Sequence, residues 1–139
     1  MSSLLVVDDD PDIRLLLRLA LSAEGHHIGE AFDGRQALDA IAQDPPDLVV
    51  LDLMMPVLDG WGVLEALDVS TAPPVVVITA FASEGDRHVA ELFERGALDV
   101  IAKPFDPGWL VQLIEAVLLV GVEERDEYRR RRMAEGPRT

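Results

Sequence analysis

At 139 residues the chain has the size of one domain with its own apolar core, and its lack of cysteine excludes a disulfide framework or a thiolate zinc site. The formal charge is −14, and it is unevenly spread: residues 1–120 carry 21 acidic and 6 basic side chains, residues 121–139 carry 5 and 6. A body this acidic repels nucleic acid and anionic lipid, and favours a divalent cation or a basic protein surface.

In chain order, Leu4 to Val7 is a short buried strand that runs into Asp8-Asp9-Asp10. Asp10-Pro11 has the form of an N-cap followed by the first helical residue. Ile13, Leu16, Leu17, Ala20 and Leu21 then recur at helical spacing until Gly25. His27 to Phe32 is a less apolar strand, as suits an edge. Asp33-Gly34 opens a second helix with Ala37, Leu38 and Ile41 on one face, closed by Pro45-Pro46.

Leu48 to Leu51 is a β-branched, continuously apolar run of the kind buried on both sheet faces. It stops at Asp52, and Pro56 and Asp59-Gly60 turn the chain soon after. Trp61 to Leu67 forms a short third helix. Val75 to Ile78 is another fully buried run, ending at Thr79-Ala80. Ser83 is placed to cap a fourth helix running to Arg95, with Gly96 at its end. Ala97 to Ala102 is a fifth strand ending at Lys103, the one lysine in the chain. From Pro107 a fifth helix turns Trp109, Leu110, Leu113, Ile114, Val117 and Leu118 inward.

Five β-α repeats in strict alternation predict an α/β fold, a (βα)5 doubly wound parallel sheet. The first, third and fourth strands are the most apolar and so central, which predicts the flavodoxin-like order 2-1-3-4-5 with its switch point between strands one and three. The domain built by this alternation spans residues 1–120; residues 121–139 form a charged helical extension or tail. In 123–132, Asp126 and Glu127 precede Arg130 and Arg131 by four, which supports a helix, so the fifth helix is expected to run on as a solvated extension to about Arg132. The alternative is that Tyr128 and the arginines dock on an acidic partner.

The carboxyl edge of this sheet collects Asp8 and Asp9 from strand one, Asp52 from strand three, Thr79 from strand four and Lys103 from strand five. Each has an ordinary reading alone: Asp8 and Asp52 as loop caps, Thr79 as a strand former, Lys103 as a surface cation. Together they do not. Two like charges about 4 Å apart cost roughly 4 kcal/mol at intermediate dielectric, so three carboxylates either raise a pKa or hold a cation. Oxygen-only donors suit Mg²⁺, which keeps several waters and accepts a phosphate oxygen. A carboxylate beside such an ion, a lysine and a hydroxyl is the set that phosphoryl transfer to an aspartate requires.

LLVVDDDP at 4–11, LDLMMPVLDG at 51–60, VVVITA at 75–80 and GALDVIAKPF at 96–105 resemble the receiver domains of two-component response regulators. The resemblance implies that Asp52 is the phospho-acceptor, that Asp8 and Asp9 with Asp52 and the Met54 carbonyl hold Mg²⁺, and that Thr79 and Lys103 contact the phosphoryl group. It implies a Lys103-Pro104 peptide that is commonly cis. It also implies a phosphohistidine donor on a sensor histidine kinase or histidine phosphotransfer protein, and a downstream protein partner. On this reading the chain is a stand-alone, cytoplasmic receiver without an output domain. It acts as a signalling switch or phosphorelay intermediate, catalyses only its own phosphorylation and dephosphorylation, and touches neither nucleic acid nor membrane. The face of the fourth helix, fifth strand and fifth helix is a candidate homodimer surface.

Two departures qualify the likeness. Val100 stands where the family usually has an aromatic residue, so an aromatic flip cannot occur there and the output switch is expected to differ. Met54 and Phe81, which should flank a bound phosphoryl group, are both apolar, from which a long-lived phosphoryl-aspartate is expected. A haloacid-dehalogenase-type phosphohydrolase is the alternative from the enzyme class, with Asp8 as nucleophile and Asp10 as acid. Against it, Asp12 stands where that motif wants threonine, and no acidic pair ends a strand after Lys103. A flavin carrier is disfavoured by the acidic first loop. His26, His27 and His88 have no metal-ligand spacing.

Overall fold

The computed structural model describes residues 2–68, 71–80 and 87–138. Within them five strands, β1 (Ser3–Val7), β2 (His27–Ala31), β3 (Leu48–Asp52), β4 (Val75–Thr79) and β5 (Asp99–Ala102), form one sheet in the order 2-1-3-4-5, every pair parallel. The helices are α1 (Pro11–Ser22), α2 (Gly34–Gln43), α3 (Gly60–Ala66), α4 (Arg87–Glu94), α5 (Pro107–Leu118) and α6 (Arg125–Glu135). The flavodoxin-like doubly wound fold is as the alternation of elements predicts.

The core divides by strand parity, because successive side chains of a strand point to opposite faces. Leu5, Val7, Val49, Leu51, Val75, Val77 and Val100 face one way and pack with Ala37 and Ile41 of α2, Val63 and Leu64 of α3, and Val89 and Phe93 of α4. Leu4, Val6, Leu48, Val50, Val76, Ile78 and Ile101 face the other way, against Leu17 and Leu21 of α1 and Leu110, Ile114 and Val117 of α5. β3 and β4 are buried along their whole length, which is why neither alternates polar with apolar residues.

Part of the acidic excess is structural. Asp10, Asp33, Asp59 and Asp106 are the N-caps of α1, α2, α3 and α5, accepting from the backbone N–H groups of Asp12, Gln36, Gly62 and Trp109 at 2.8–2.9 Å. Each such cap stabilises its helix by about 1 kcal/mol. Asp47 does a related service at the sheet, accepting from the Ser3 N–H at 2.7 Å.

The C-terminal segment departs from expectation. The fifth helix does not run on to Arg132: it ends at Leu118, where the last N–H groups tighten onto Ala116 and Val117, and Gly121 is extended. A 3-10 turn (Val122–Glu124) leads into α6, which folds back on the domain instead of reaching into solvent. Met133 packs against the cluster around Val100, and Tyr128 against the opposite one. Arg138 then pairs with the outer edge of β5: its N–H donates to the Val100 carbonyl at 2.9 Å and its carbonyl accepts from the Ala102 N–H at 2.8 Å. The α4–β5–α5 face, expected to receive a second copy, is therefore covered along β5 and α4 by the chain's own tail. The capping role expected of Ser83 lies outside the described residues. No helix among them is long and apolar enough to cross a membrane.

Candidate functional site

β1 and β3 are adjacent, with Val7 level with Leu51, so the next residue of each strand, Asp8 and Asp52, emerges at the same edge of the sheet. Asp8, Asp9 and Asp52 each bring one carboxylate oxygen to within 4.8 Å of the others. Asp8 and Asp52 are buried and Asp9 is exposed. That is a hard, all-oxygen donor set, open to solvent on the Asp9 side, and it fits a small divalent cation that retains waters.

The first of these acids is pinned from several directions. Its N–H donates to the Ala31 carbonyl at 3.1 Å, its carboxylate accepts from the Asp10 N–H at 3.0 Å, and its carbonyl accepts from Arg14 Nη1 at 2.7 Å. Arg14 is a positioning residue that sequence reasoning missed. The available signal was its place in the first turn of α1, four residues after the Asp10 cap. Its guanidinium also stacks on Phe32, 5.6 Å from the ring centroid, and reaches Glu30 at 3.4 Å.

Lys103 lies one residue past β5 and sends its ammonium between the two buried acids, 2.9 Å from Asp8 Oδ2 and 3.3 Å from Asp52 Oδ1. Its N–H donates to the Thr79 carbonyl at 2.9 Å, which fixes the ends of β4 and β5 to each other and brings Thr79, itself buried, to the same edge. The Lys103-Pro104 peptide is cis, as the resemblance implies. One ammonium does not balance three acids. Burial, and after it the Asp8 charge, push the Asp52 carboxyl up to about 6, against the lowering influence of Lys103 and of the Met54 backbone hydrogen bond. Burial works against the Lys103 ammonium, but the hydrogen bond and charge of Asp8, with Asp52 behind them, outweigh it and hold the lysine above its usual value.

The loop after Asp52 is shaped by two backbone constraints. Gly60 donates to the Leu53 carbonyl at 3.0 Å, and a Cβ there would sit 2.5 Å from the Asp52 carbonyl oxygen and 2.8 Å from Leu53 Cα, so only glycine lets α3 start this close to the acid. Val57 adopts φ 69°, a left-handed conformation costly for a β-branched residue, and it is exposed. Met54 keeps its backbone against the Asp52 carboxyl while its side chain is exposed. Phe81, its expected counterpart, lies outside the described residues. Val100 is fully buried in the core cluster that also holds Val89 and Phe93, against which Met133 packs. Asp10, the acid of the phosphohydrolase alternative, is exposed and spent on capping α1, so nothing here supports that alternative.

Residues 4–115 match the response regulator receiver domain family. Among curated proteins, the chain is 41% identical over 114 residues to the probable transcriptional regulator ycf27 of Guillardia theta, covering 82% of this chain and 44% of that protein. It is 42% identical over 118 residues to the transcriptional regulatory protein CpxR of Escherichia coli K12, covering 85% and 50%. The chain thus spans about half the length of these relatives. Among solved structures, the Francisella response regulator 1452 receiver domain superposes with a TM-score of 0.79 at 30% identity, covering 85% of this chain and 97% of that one.

Proposed function

The chain belongs to the response regulator receiver domain family, and from that premise we propose that it takes a phosphoryl group onto Asp52 from a phosphohistidine on a sensor histidine kinase or a histidine phosphotransfer protein, in a step that needs Mg²⁺. The observation that carries the proposal is the placement of a buried, under-neutralised Asp52 within 3.3 Å of Lys103 and beside Asp8 and Asp9. In the transfer an Asp52 carboxylate oxygen attacks phosphorus and the P–N bond breaks. The imidazole, already protonated on its other nitrogen, leaves as the neutral ring. Lys103 turns from Asp8 toward the phosphoryl oxygens, and the Thr79 hydroxyl donates to one of them.

Asp8, Asp9 and Asp52, with the Met54 carbonyl, would hold the Mg²⁺; when bound it supplies positive charge against the oxygens of the transferred group. This is self-modification of a switch and not turnover of a substrate. Met54 offers no group to orient an attacking water beside the acceptor, which supports a slowly hydrolysed phosphoryl-aspartate. The acidic body supports a protein as downstream partner, and opposes direct contact of these residues with nucleic acid.

Intact mass after incubation with acetyl phosphate and Mg²⁺ tests the reading. The native chain should gain one phosphoryl group and Asp52→Asn none; a gain that survives Asp52→Asn, or that needs no divalent cation, would contradict it.

A further inference from the structure

The segment after α5 ends on the strand that carries the lysine, and it does so through a buried charge. Asp99, the first residue of β5, has no exposed surface. Its carboxylate accepts from Arg132 Nε at 3.2 Å on each oxygen, from Arg138 Nε at 2.9 Å and from the Tyr128 hydroxyl at 2.9 Å, all three supplied by the C-terminal segment. Arg132 is itself buried and also reaches Glu135 and the Gly136 carbonyl, so it ties the end of α6 to the strand. Burial, then the Asp99 charge, raise the pKa of the Tyr128 hydroxyl, which therefore stays a donor. Together with the main-chain pairing of Arg138 these contacts close the edge of β5, a strand edge that proteins otherwise protect or use for docking.

The grip falls next to the site. The Ala102 N–H points outward to the Arg138 carbonyl at 2.8 Å, and the next N–H, that of Lys103, points inward to the Thr79 carbonyl at 2.9 Å. The backbone that aims Lys103 is thus held between the tail on one side and the strand of Thr79 on the other. A phosphoryl group on Asp52 adds negative charge within reach of Lys103, in competition with its 2.9 Å partner Asp8, and draws the lysine and the Thr79 hydroxyl toward it. Any shift of the backbone at 102 and 103 that accompanies this is felt at the Arg138 pairing, which the Ala102 N–H itself makes.

We propose that residues 122–138 are a releasable clasp on β5, coupled antagonistically to the acceptor site, so that loading Asp52 loosens the clasp and opens the β5 edge. The proposal rests on Asp52 being the acceptor. Coupling of this kind is reciprocal: whatever loosens the clasp must tighten binding at the site by the same factor, commonly about 5- to 150-fold. The opened surface would present unpaired strand groups and one carboxylate, suited to an extended, arginine-bearing segment of a partner protein, the chemistry the tail itself supplies.

Hydrogen exchange of the whole 139-residue chain, with intact mass recorded on the same samples, tests it. With acetyl phosphate and Mg²⁺, exchange at the Arg138 and Ala102 amides should quicken by about tenfold, and the Asp52→Asn chain under the same conditions should show no change. Tyr128→Phe, which removes one of the three tail donors and leaves the site residues intact, should bind the phosphoryl mimic beryllofluoride more tightly in the presence of Mg²⁺. A full gain of one phosphoryl group with unaltered exchange at both amides overturns the coupling and leaves the acceptor role standing. Faster exchange in Asp52→Asn also overturns the coupling, because it would come from the reagents and not from the site. No mass gain in the native chain removes both claims.

Discussion

Two aspartate-centred charge clusters lie buried among the described residues, and they are built to opposite specifications. At the carboxyl edge of β1 and β3, three carboxylates share one ammonium, and the Asp52 carboxyl is raised to about 6. On β5 a single carboxylate receives two guanidinium groups, a phenol and the Val100 N–H at 2.9 Å. Burial alone therefore does not mark a reactive acid. A surplus of negative charge next to an opening leaves one group seeking a partner, which is how a site recruits a cation and a phosphoryl group. A surplus of donors leaves nothing to recruit, and the result is a fastening.

Removing charge should accordingly have opposite signs at the two places. Asp99→Asn keeps the shape but strands Arg132 in the interior, and we expect a loss of about 3–5 kcal/mol in urea unfolding, the range for breaking a buried ion pair. A cost near zero would mean that the arginines relax into solvent and that the cluster is ornamental. Asp52→Asn should instead stabilise the metal-free chain, by about 1–3 kcal/mol at pH 8. The sign follows from the raised pKa. The folded state prefers this carboxyl protonated, so its contribution is most favourable below the ordinary value of 3.8 and is lost as pH rises through about 6. The advantage of Asp52→Asn should shrink across that window on acidification, and Mg²⁺ should reverse it by stabilising the native chain more; a pH-independent difference would show that the burial of this carboxyl beside Asp8 is not its origin.

A smaller effect sharpens the same contrast at the level of the backbone. Val57→Gly relieves a left-handed β-branched residue in the loop beside Asp52, at the expense of extra freedom in the unfolded chain. We expect a net gain of about 0.5–1 kcal/mol in denaturant midpoint experiments. No such relief is available around Asp99, where among the described residues the non-glycine backbone of β5 and α6 lies in ordinary regions. A destabilised Val57→Gly chain would mean that the loop owes its shape to the valine side chain.

These differences also explain what could be read from the residues alone. Strand order followed from Val49-Val50-Leu51 and Val75-Val76-Val77, because only strands covered on both faces can dispense with polar residues. Asp8, Asp52, Thr79 and Lys103 were legible because parallel strands deliver their last residues to one edge, so that local position stands in for distance. The β5 fastening offers no such shortcut. Its partners lie 29 to 39 residues from Asp99, and an acid at the start of an edge strand looks ordinary. EERDEYRRRR also has the charge pattern of a solvated helix. The spacing of Asp126 and Glu127 to Arg130 and Arg131 argued for continuing the fifth helix, but the chain is extended at Gly121 and the charged helix starts anew at Arg125. Arg14 escaped notice for a related reason, since its bond goes to the Asp8 carbonyl, a group no side-chain pattern advertises.

The solitary lysine has a practical corollary. With Lys103 as the sole side-chain amine and only about a fifth of it accessible, acylating reagents have one slow internal target besides the α-amino group. The extent of labelling at Lys103 is then a direct gauge of how the acceptor pocket is filled, without mutating or tagging the protein.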